Sequence, residues 1–301
     1  MQHTILGILA LACGVGLFST VEVTSKLIEL QVDPIVLTFI RFFITGVTLL
    51  IISSRTIYLE KIRYSFDDFK IFIINGVIGV ALAISIFHVA ITILEKASSS
   101  AVIFCVNPVF VIIFARYLNN ESLSARKWIS AILGVLGVLF FAYESGTVAL
   151  RSVLGLSVML VSAVLFAFSL CFAKKYISRY GAMVLMGFSS FIGSIVILPY
   201  VLLKVTHESI AAIQSMWFPV FYLSFIATAL AYAFYYWGLK NTSAHMAGMS
   251  FFLKPIMATI CAILLLGETI NIYMIIGTAL IISGLGLTLA APSSSGNLSN
   301  N

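Results

Sequence analysis

Ten long apolar runs account for most of the 301 residues, and they restrict this chain to one physical solution. They fall at residues 4–24, 34–53, 69–94, 97–118, 127–143, 152–173, 182–203, 217–239, 244–266 and 272–290. Each is about 17–26 residues long, which at ~1.5 Å per residue matches a hydrocarbon core of ~30 Å. Only 9% of all residues are charged while 61% are hydrophobic. A water-soluble domain needs roughly a quarter of its residues charged to cover its surface. A backbone in lipid must satisfy its own hydrogen bonds, so the spans are helices or a closed barrel. A barrel would give short alternating segments, and these runs are long and do not alternate. The expected fold class is therefore an all-α membrane protein with ten transmembrane helices.

The net charge of +6 does not point to nucleic acid, because the basic residues sit where the membrane requires them. With the N-terminus inside, eleven Lys and Arg fall in inner loops, among them Arg116, Arg126, Lys127, Lys174, Lys175, Arg179 and Lys240. Lys26, Lys96, Arg151 and Lys204 fall outside, and Arg41 and Lys254 lie within spans. This asymmetry predicts that both termini are cytoplasmic. Residues Met1, Gln2 and His3 carry no Lys or Arg, so the first span does not read as a cleaved signal. Cys13, Cys105, Cys171 and Cys261 lie singly in apolar runs and form neither a disulfide frame nor a metal site. The final stretch, 292–301, is rich in Ser, Gly and Asn and is expected to be a disordered cytoplasmic tail.

The chain repeats itself. Residues 97–137 laid over 244–284 without a gap give ten identities in forty-one positions. These include Phe104 with Phe251, Pro108 with Pro255, Glu121 with Glu268 and Gly137 with Gly284. Apolar composition alone would not bring a mid-span proline and a loop glutamate into register. A second match, offset by 148, pairs Phe18 with Phe166 and Lys26 with Lys174. Two five-helix units follow, 1–146 and 147–291, and five being odd, the second must insert upside down. Inverted repeats around a midplane cavity belong to alternating-access transporters.

These residues resemble the EamA-type repeat of the drug/metabolite transporter superfamily over nearly the whole chain. The second half carries Lys254-Pro255, Gly267-Glu268, Gly277 and Gly284; the first carries Asn107-Pro108, Asn120-Glu121, Gly134 and Gly137. Lys26 closing span one and Arg41 inside span two also match. The aromatic-Gly pair common in the family's first span is Phe18-Ser19 here, and Asn120 replaces the Gly before the first glutamate. The resemblance implies ten spans, an inverted pseudo-two-fold, a central cavity, and export or exchange of small metabolites across a prokaryotic inner membrane.

Ionisable groups inside spans are costly and usually face a cavity or a partner. Arg41 lies roughly 10 Å below the outer surface at 1.5 Å rise per residue, with Thr38, Thr45 and Thr48 on its face. It either contacts an anion, since a guanidinium suits a carboxylate, or clamps a helix end or Glu22. His88, at nearly the same depth, is either a proton-coupling group or a hydrogen-bonded packing residue. Glu22 is a counter-charge for Arg41, a contact for a cationic substrate, or a partner of Lys26 at i+4. Lys254 lies near the midplane on a face of small residues and cannot easily reach water. It is expected to line the cavity and meet an anionic or zwitterionic substrate, with its repeat mate Asn107 giving a neutral polar contact opposite. Pro255 frees a carbonyl one turn earlier, and Pro108 is its structural repeat mate. Glu121 and Glu268 are expected to accept hydrogen bonds from the N-terminus of the helix that follows them. Tyr232, Tyr235 and Tyr236 in span eight either line a cavity or pack in the core. No phosphate-binding loop, HExxH or GxSxG stands in the chain, so ATP-driven transport and an intramembrane enzyme are not expected. No cofactor or metal is implied. The reading is a secondary or facilitative transporter exporting amino acids or related metabolites, with protons as a candidate coupling ion. The alternative is a nucleotide-sugar or organic-phosphate exchanger.

Overall fold

The computed structural model describes residues 2–21, 24–25, 28, 32–59, 64–93, 104–144, 153–257 and 272–289. Among these residues all regular structure is helical. The first half holds α1 (Gln2–Phe18), α2 (Pro34–Leu59), α3 (Phe66–Ile93), α4 (Asn107–Asn119) and α5 (Ala125–Glu144). The second holds α6 (Val153–Tyr180), α7 (Ala182–Lys204), α8 (Trp217–Asn241), α9 (Ala244–Ser250) and α10 (Ile272–Leu289). A short helix, His207–Ser215, precedes α8 and is capped by Thr206, whose hydroxyl accepts from the Ser209 N–H at 3.1 Å. Five helices among the described residues, α2, α3, α6 (over Ser157–Tyr180), α7 and α8, are long and apolar enough to cross a bilayer. Glu95, Lys96, Glu22, Glu268 and the segment 292–301 lie outside the described residues.

The distribution of polarity is that of a protein solvated by lipid. Leu203, Trp217 and Phe218 are exposed, whereas Arg41, His88 and Lys254 are buried. Leucine and tryptophan outside with arginine and lysine inside would be unstable in water, and it suits a hydrocarbon surround.

The two halves pack as an exchange of equivalents. The repeat offset pairs α1 with α6, α2 with α7, α3 with α8, α4 with α9 and α5 with α10. The most extensive contacts are α2 on α7 and α5 on α10, each a helix against its own equivalent. α1 on α8 is matched by α6 on α3, the same contact with the halves exchanged. The glycines give the direction. A methyl group on Gly137 would fall 2.7 Å from the Gly277 carbonyl oxygen, and one on Gly284 2.7 Å from that of Ser130. Moving down α5 therefore moves up α10, so equivalent helices run antiparallel and the two repeats are inverted. Close approach of backbones is the use of small residues between membrane helices.

Local chemistry sets the ends. Ser65 and Asp68 form a capping box at the start of α3, the Ser65 N–H donating to Asp68 Oδ2 at 2.7 Å. Gly181 alone separates α6 from α7, and its φ of +83° is one that L side chains rarely adopt. Asn120 ends α4 in the left-handed region at φ 53°, a conformation asparagine tolerates better than most. This gives a physical use for the asparagine that stands where the second repeat has Gly267.

Candidate functional site

Both repeats depart from the α-helix at corresponding places. α3 widens to a π-helix over Val77–Ile84 and α8 over Tyr222–Leu230, which overlap under the repeat offset. The wider turns coincide with carbonyls bonded to hydroxyls. Ser162 Oγ donates to Ala83 O at 2.7 Å, Thr45 Oγ1 to Ser224 O at 3.4 Å, and Thr228 Oγ1 to Leu223 O at 2.6 Å. The chain also breaks at Cys105–Val106 and at Phe251–Phe252. Pro108 accordingly stands in the first turn of a new helix, where its missing N–H costs nothing. The expectation of a proline inside a continuous span is corrected there: the helix restarts at Asn107. Beside Pro255, the Lys254 N–H donates to Phe251 O at 3.0 Å, a tight turn that carries the chain through the break.

Between these features lies a narrow cavity of about 40 Å³, walled by both halves. Phe18, Arg41 and Phe104 come from the first half; Phe166, Phe251 and Lys254 come from the second. Tyr232 and Phe87 complete its ring-rich wall.

Arg41 is held on two sides. Its Nε and Nη2 donate to Thr228 Oγ1 at 3.0 and 2.9 Å, and its Nη1 donates to His88 Nε2. Thr228 spends its own proton on Leu223 O, so its lone pairs are left to receive the guanidinium. Arginine has no acceptor, so in this contact the His88 Nε2 is the accepting atom. His88 is fully buried and is not one of the cavity-lining residues; it meets the cavity through Arg41. Of the three hydroxyls expected on the Arg41 face, Thr38 and Thr45 are buried and Thr48 is half-buried. Thr228 was missed by sequence reading. Its only trace is a hydroxyl four residues beyond Ser224 in an otherwise apolar run.

Lys254 is 4% exposed and lines the cavity. Its Nζ lies 5.8 Å from the Phe104 ring centroid and 6.0 Å from that of Phe87. An ammonium at this range is attracted to the ring faces. Tyr232 also lines the cavity, with its ring edge on Phe18 at 4.8 Å. Tyr235 and Asn107 do not line it. The Tyr235 hydroxyl donates to Ala247 O at 3.0 Å, tying α8 to α9, and Asn107 Nδ2 donates to Ala163 O at 2.9 Å, tying α4 to α6. Of the amide expected to give a neutral polar contact, the nitrogen is taken up by this helix carbonyl, while Oδ1 is buried with no hydrogen-bond partner among the described residues.

A second cluster grips the turn between α8 and α9. Glu121 Oε1 accepts from the Ala244 N–H at 2.7 Å and Oε2 accepts from the His245 N–H at 3.4 Å. Glu121 therefore caps a helix as expected, but a helix of the other half and not the one that follows it. Lys127 Nζ pairs with Glu121 at 3.3 Å, both side chains being nearly buried. Lys174 Nζ donates to the carbonyls of Leu239 at 2.7 Å and Lys240 at 3.2 Å, and to that of Thr242. The end of α8 and the start of α9 are thus each capped by an opposite charge from elsewhere in the fold.

The sequence profile of the EamA-like transporter family matches residues 5–143 and 153–290, covering the chain twice. An uncharacterized transporter of Clostridium kluyveri is 31% identical over 275 residues, 89% of this chain and 88% of that protein. The uncharacterized inner membrane transporter YicL of Salmonella typhimurium is 25% identical over 255 residues, 83% of each chain. A solved crystal structure superposes with a TM-score of 0.74 at 19% identity, covering 95% of this chain and 96% of its own, and is similar in fold.

Proposed function

This chain belongs to the EamA-like transporter family and is a multi-pass membrane transporter of small molecules, and from that premise we propose that it exports amino acids or related carboxylate metabolites by alternating access. The observation that carries the reading is the pair of buried cations, Arg41 and Lys254, on one cavity wall built from both halves. A cation in a low-dielectric site favours a substrate that brings the opposite charge. Near them the wall offers rings and Tyr232, and little to hydrogen-bond a sugar's hydroxyls. A nucleotide sugar would lose those bonds on entering, so a compact carboxylate fits better.

The units 1–146 and 147–291 are the two repeats in this reading, and rocking of helix pairs drawn from both alternates access. The Lys and Arg tally favours both termini in the cytoplasm of a prokaryotic cell, with the inner membrane as host. In that orientation Glu121, Lys127 and Lys174 close the cytoplasmic side, and releasing the α8–α9 turn admits substrate. Protons are the coupling ion in this reading. A proton on His88 Nε2 would remove the acceptor that Arg41 uses, freeing the guanidinium for substrate.

The test is counterflow in proteoliposomes with a panel of labelled metabolites at two pH values. Exchange of amino acids, faster on the acid side, is expected. Lys254→Met, at matched levels of inserted protein, should lower exchange roughly 10- to 100-fold, the equivalent of one charge-assisted contact. Unchanged kinetics would remove Lys254 from the site, and exchange of phosphate esters alone would overturn the carboxylate reading.

A further inference from the structure

Four of the rings on the cavity's wall are duplicated between the halves and its charges are not. Phe18 and Phe166 are repeat equivalents, and so are Phe104 and Phe251. All four line the same cavity. Phe18 stacks on Phe251 at 6.2 Å between centroids, and the exchanged contact, Phe166 with Phe104, stands at 5.3 Å. Phe104 meets Phe251 edge-on at 5.8 Å, a contact that the exchange of halves maps onto itself. Phe166 meets Phe251 in the same way at 5.5 Å. The four rings form one contiguous cluster on the cavity wall, two from each half. The charges have no such duplication. Arg41 falls on Phe188 or Ser189 at the two repeat offsets, 147 and 148, and Lys254 falls on Asn107, so neither charge is duplicated.

We propose that Phe18, Phe104, Phe166 and Phe251 form the specificity cage of this transporter, selecting carboxylates that carry an apolar body of ring or branched-alkyl size. The inference rests on the transport reading above and adds the determinant of substrate class. A solute segment between ring faces leaves any hydroxyl or amide it carries without a partner, which disfavours polar bodies. An apolar body loses nothing there and gains burial and ring contacts. The symmetry adds a second consequence. Rocking of inverted halves exchanges the roles of equivalent residues, so the cage presents the same four rings whichever side is open. The apolar body is held alike in both states, whereas Arg41 and Lys254 hold the carboxylate in a single polarity.

The experiment is exchange by the full chain in proteoliposomes, using glycine, alanine, leucine, phenylalanine and glutamate as probes, with 3-phenylpropanoate to separate an anion from a zwitterion. The wild-type protein should prefer leucine and phenylalanine over glycine by tenfold or more, in line with hydrophobic-pocket discrimination. Phe166→Ala and Phe104→Ala should reduce the phenylalanine-to-alanine preference about tenfold while alanine exchange persists. Phe166→Leu and Phe104→Leu should keep most of the preference, and their thermal unfolding should match wild type, which separates lost selectivity from lost folding. An unchanged rank order in both alanine variants would overturn the cage. Exchange confined to glycine or glutamate would also overturn it and leave the transporter standing. Exchange of none of the probes, with phosphate esters moving instead, would remove the carboxylate reading itself.

Discussion

Arg41 owes its place to Thr228, a neutral hydroxyl 187 residues away along the chain. A buried guanidinium must have its N–H groups met, and a threonine whose proton is already committed to Leu223 O is a one-way acceptor. Thr228→Val removes that acceptor while keeping the shape of the side chain. The outcome expected is a rise in the half-saturating substrate concentration, with ~1–3 kcal/mol lost, or roughly 5- to 150-fold. Thr228→Ser should restore most of it. Concentration dependence of exchange in the two variants checks this, and equal values would mean that Arg41 is held elsewhere. His88→Phe tests the other side. It removes the lone pair that receives Arg41 Nη1, and it should flatten the acid dependence of exchange if proton entry acts through that ring. A pH profile unchanged from wild type would remove His88 from coupling.

The α8–α9 turn illustrates why helices of this protein end where they do. Ser243 caps α9 from within, its hydroxyl accepting from the Met246 N–H at 3.1 Å. Glu121 adds a charge from the α4–α5 connection, and Lys174 adds the opposite charge to the last carbonyls of α8. Both follow the dipole rule, anion at a helix start and cation at a helix end. Glu121→Ala would leave the Ala244 N–H and the Lys127 ammonium without this partner. A nearly buried charged hydrogen bond of this kind contributes on the order of 1.5–3 kcal/mol. The expected result is faster labelling of a Ser243→Cys reporter by a water-soluble maleimide, together with earlier thermal unfolding. Glu121→Asp, with a shorter reach, should fall between the two, and no change in labelling would mean the turn is held closed by packing alone.

Across the whole molecule the inverted arrangement is the basis of the proposal that one cavity serves two faces. α5 and α10, and α2 and α7, are equivalents packed antiparallel, so an exchange of their tilts maps one half's conformation onto the other's. Single cysteines replacing Glu121 and Glu268 should therefore react from opposite sides of sealed vesicles. Labelling of both from one side would contradict the inversion and the transport mechanism built on it. Gly137→Leu should prevent assembly of the α5–α10 pair, because even a methyl group there falls 2.7 Å from a carbonyl oxygen. Loss of the folded fraction after detergent extraction is the measurement.

Fold class, the duplicated halves and the identity of the buried ions were all legible in the amino-acid order. Each is decided by quantities that are local or additive: run length against bilayer thickness, charge count against surface, and register between two copies of one pattern. Lys254 was found for the same reason, since a charge near the middle of an apolar run has few places to go. The partners of those charges were not legible. That Thr228 holds Arg41, that Glu121 caps the other half's helix, and that Asn107 turns aside to Ala163 depend on contacts between residues far apart in the chain. Helical periodicity gives each span a face, but only packing decides which faces meet, because shape and hydrogen-bond complementarity between helices are properties of pairs and not of single segments.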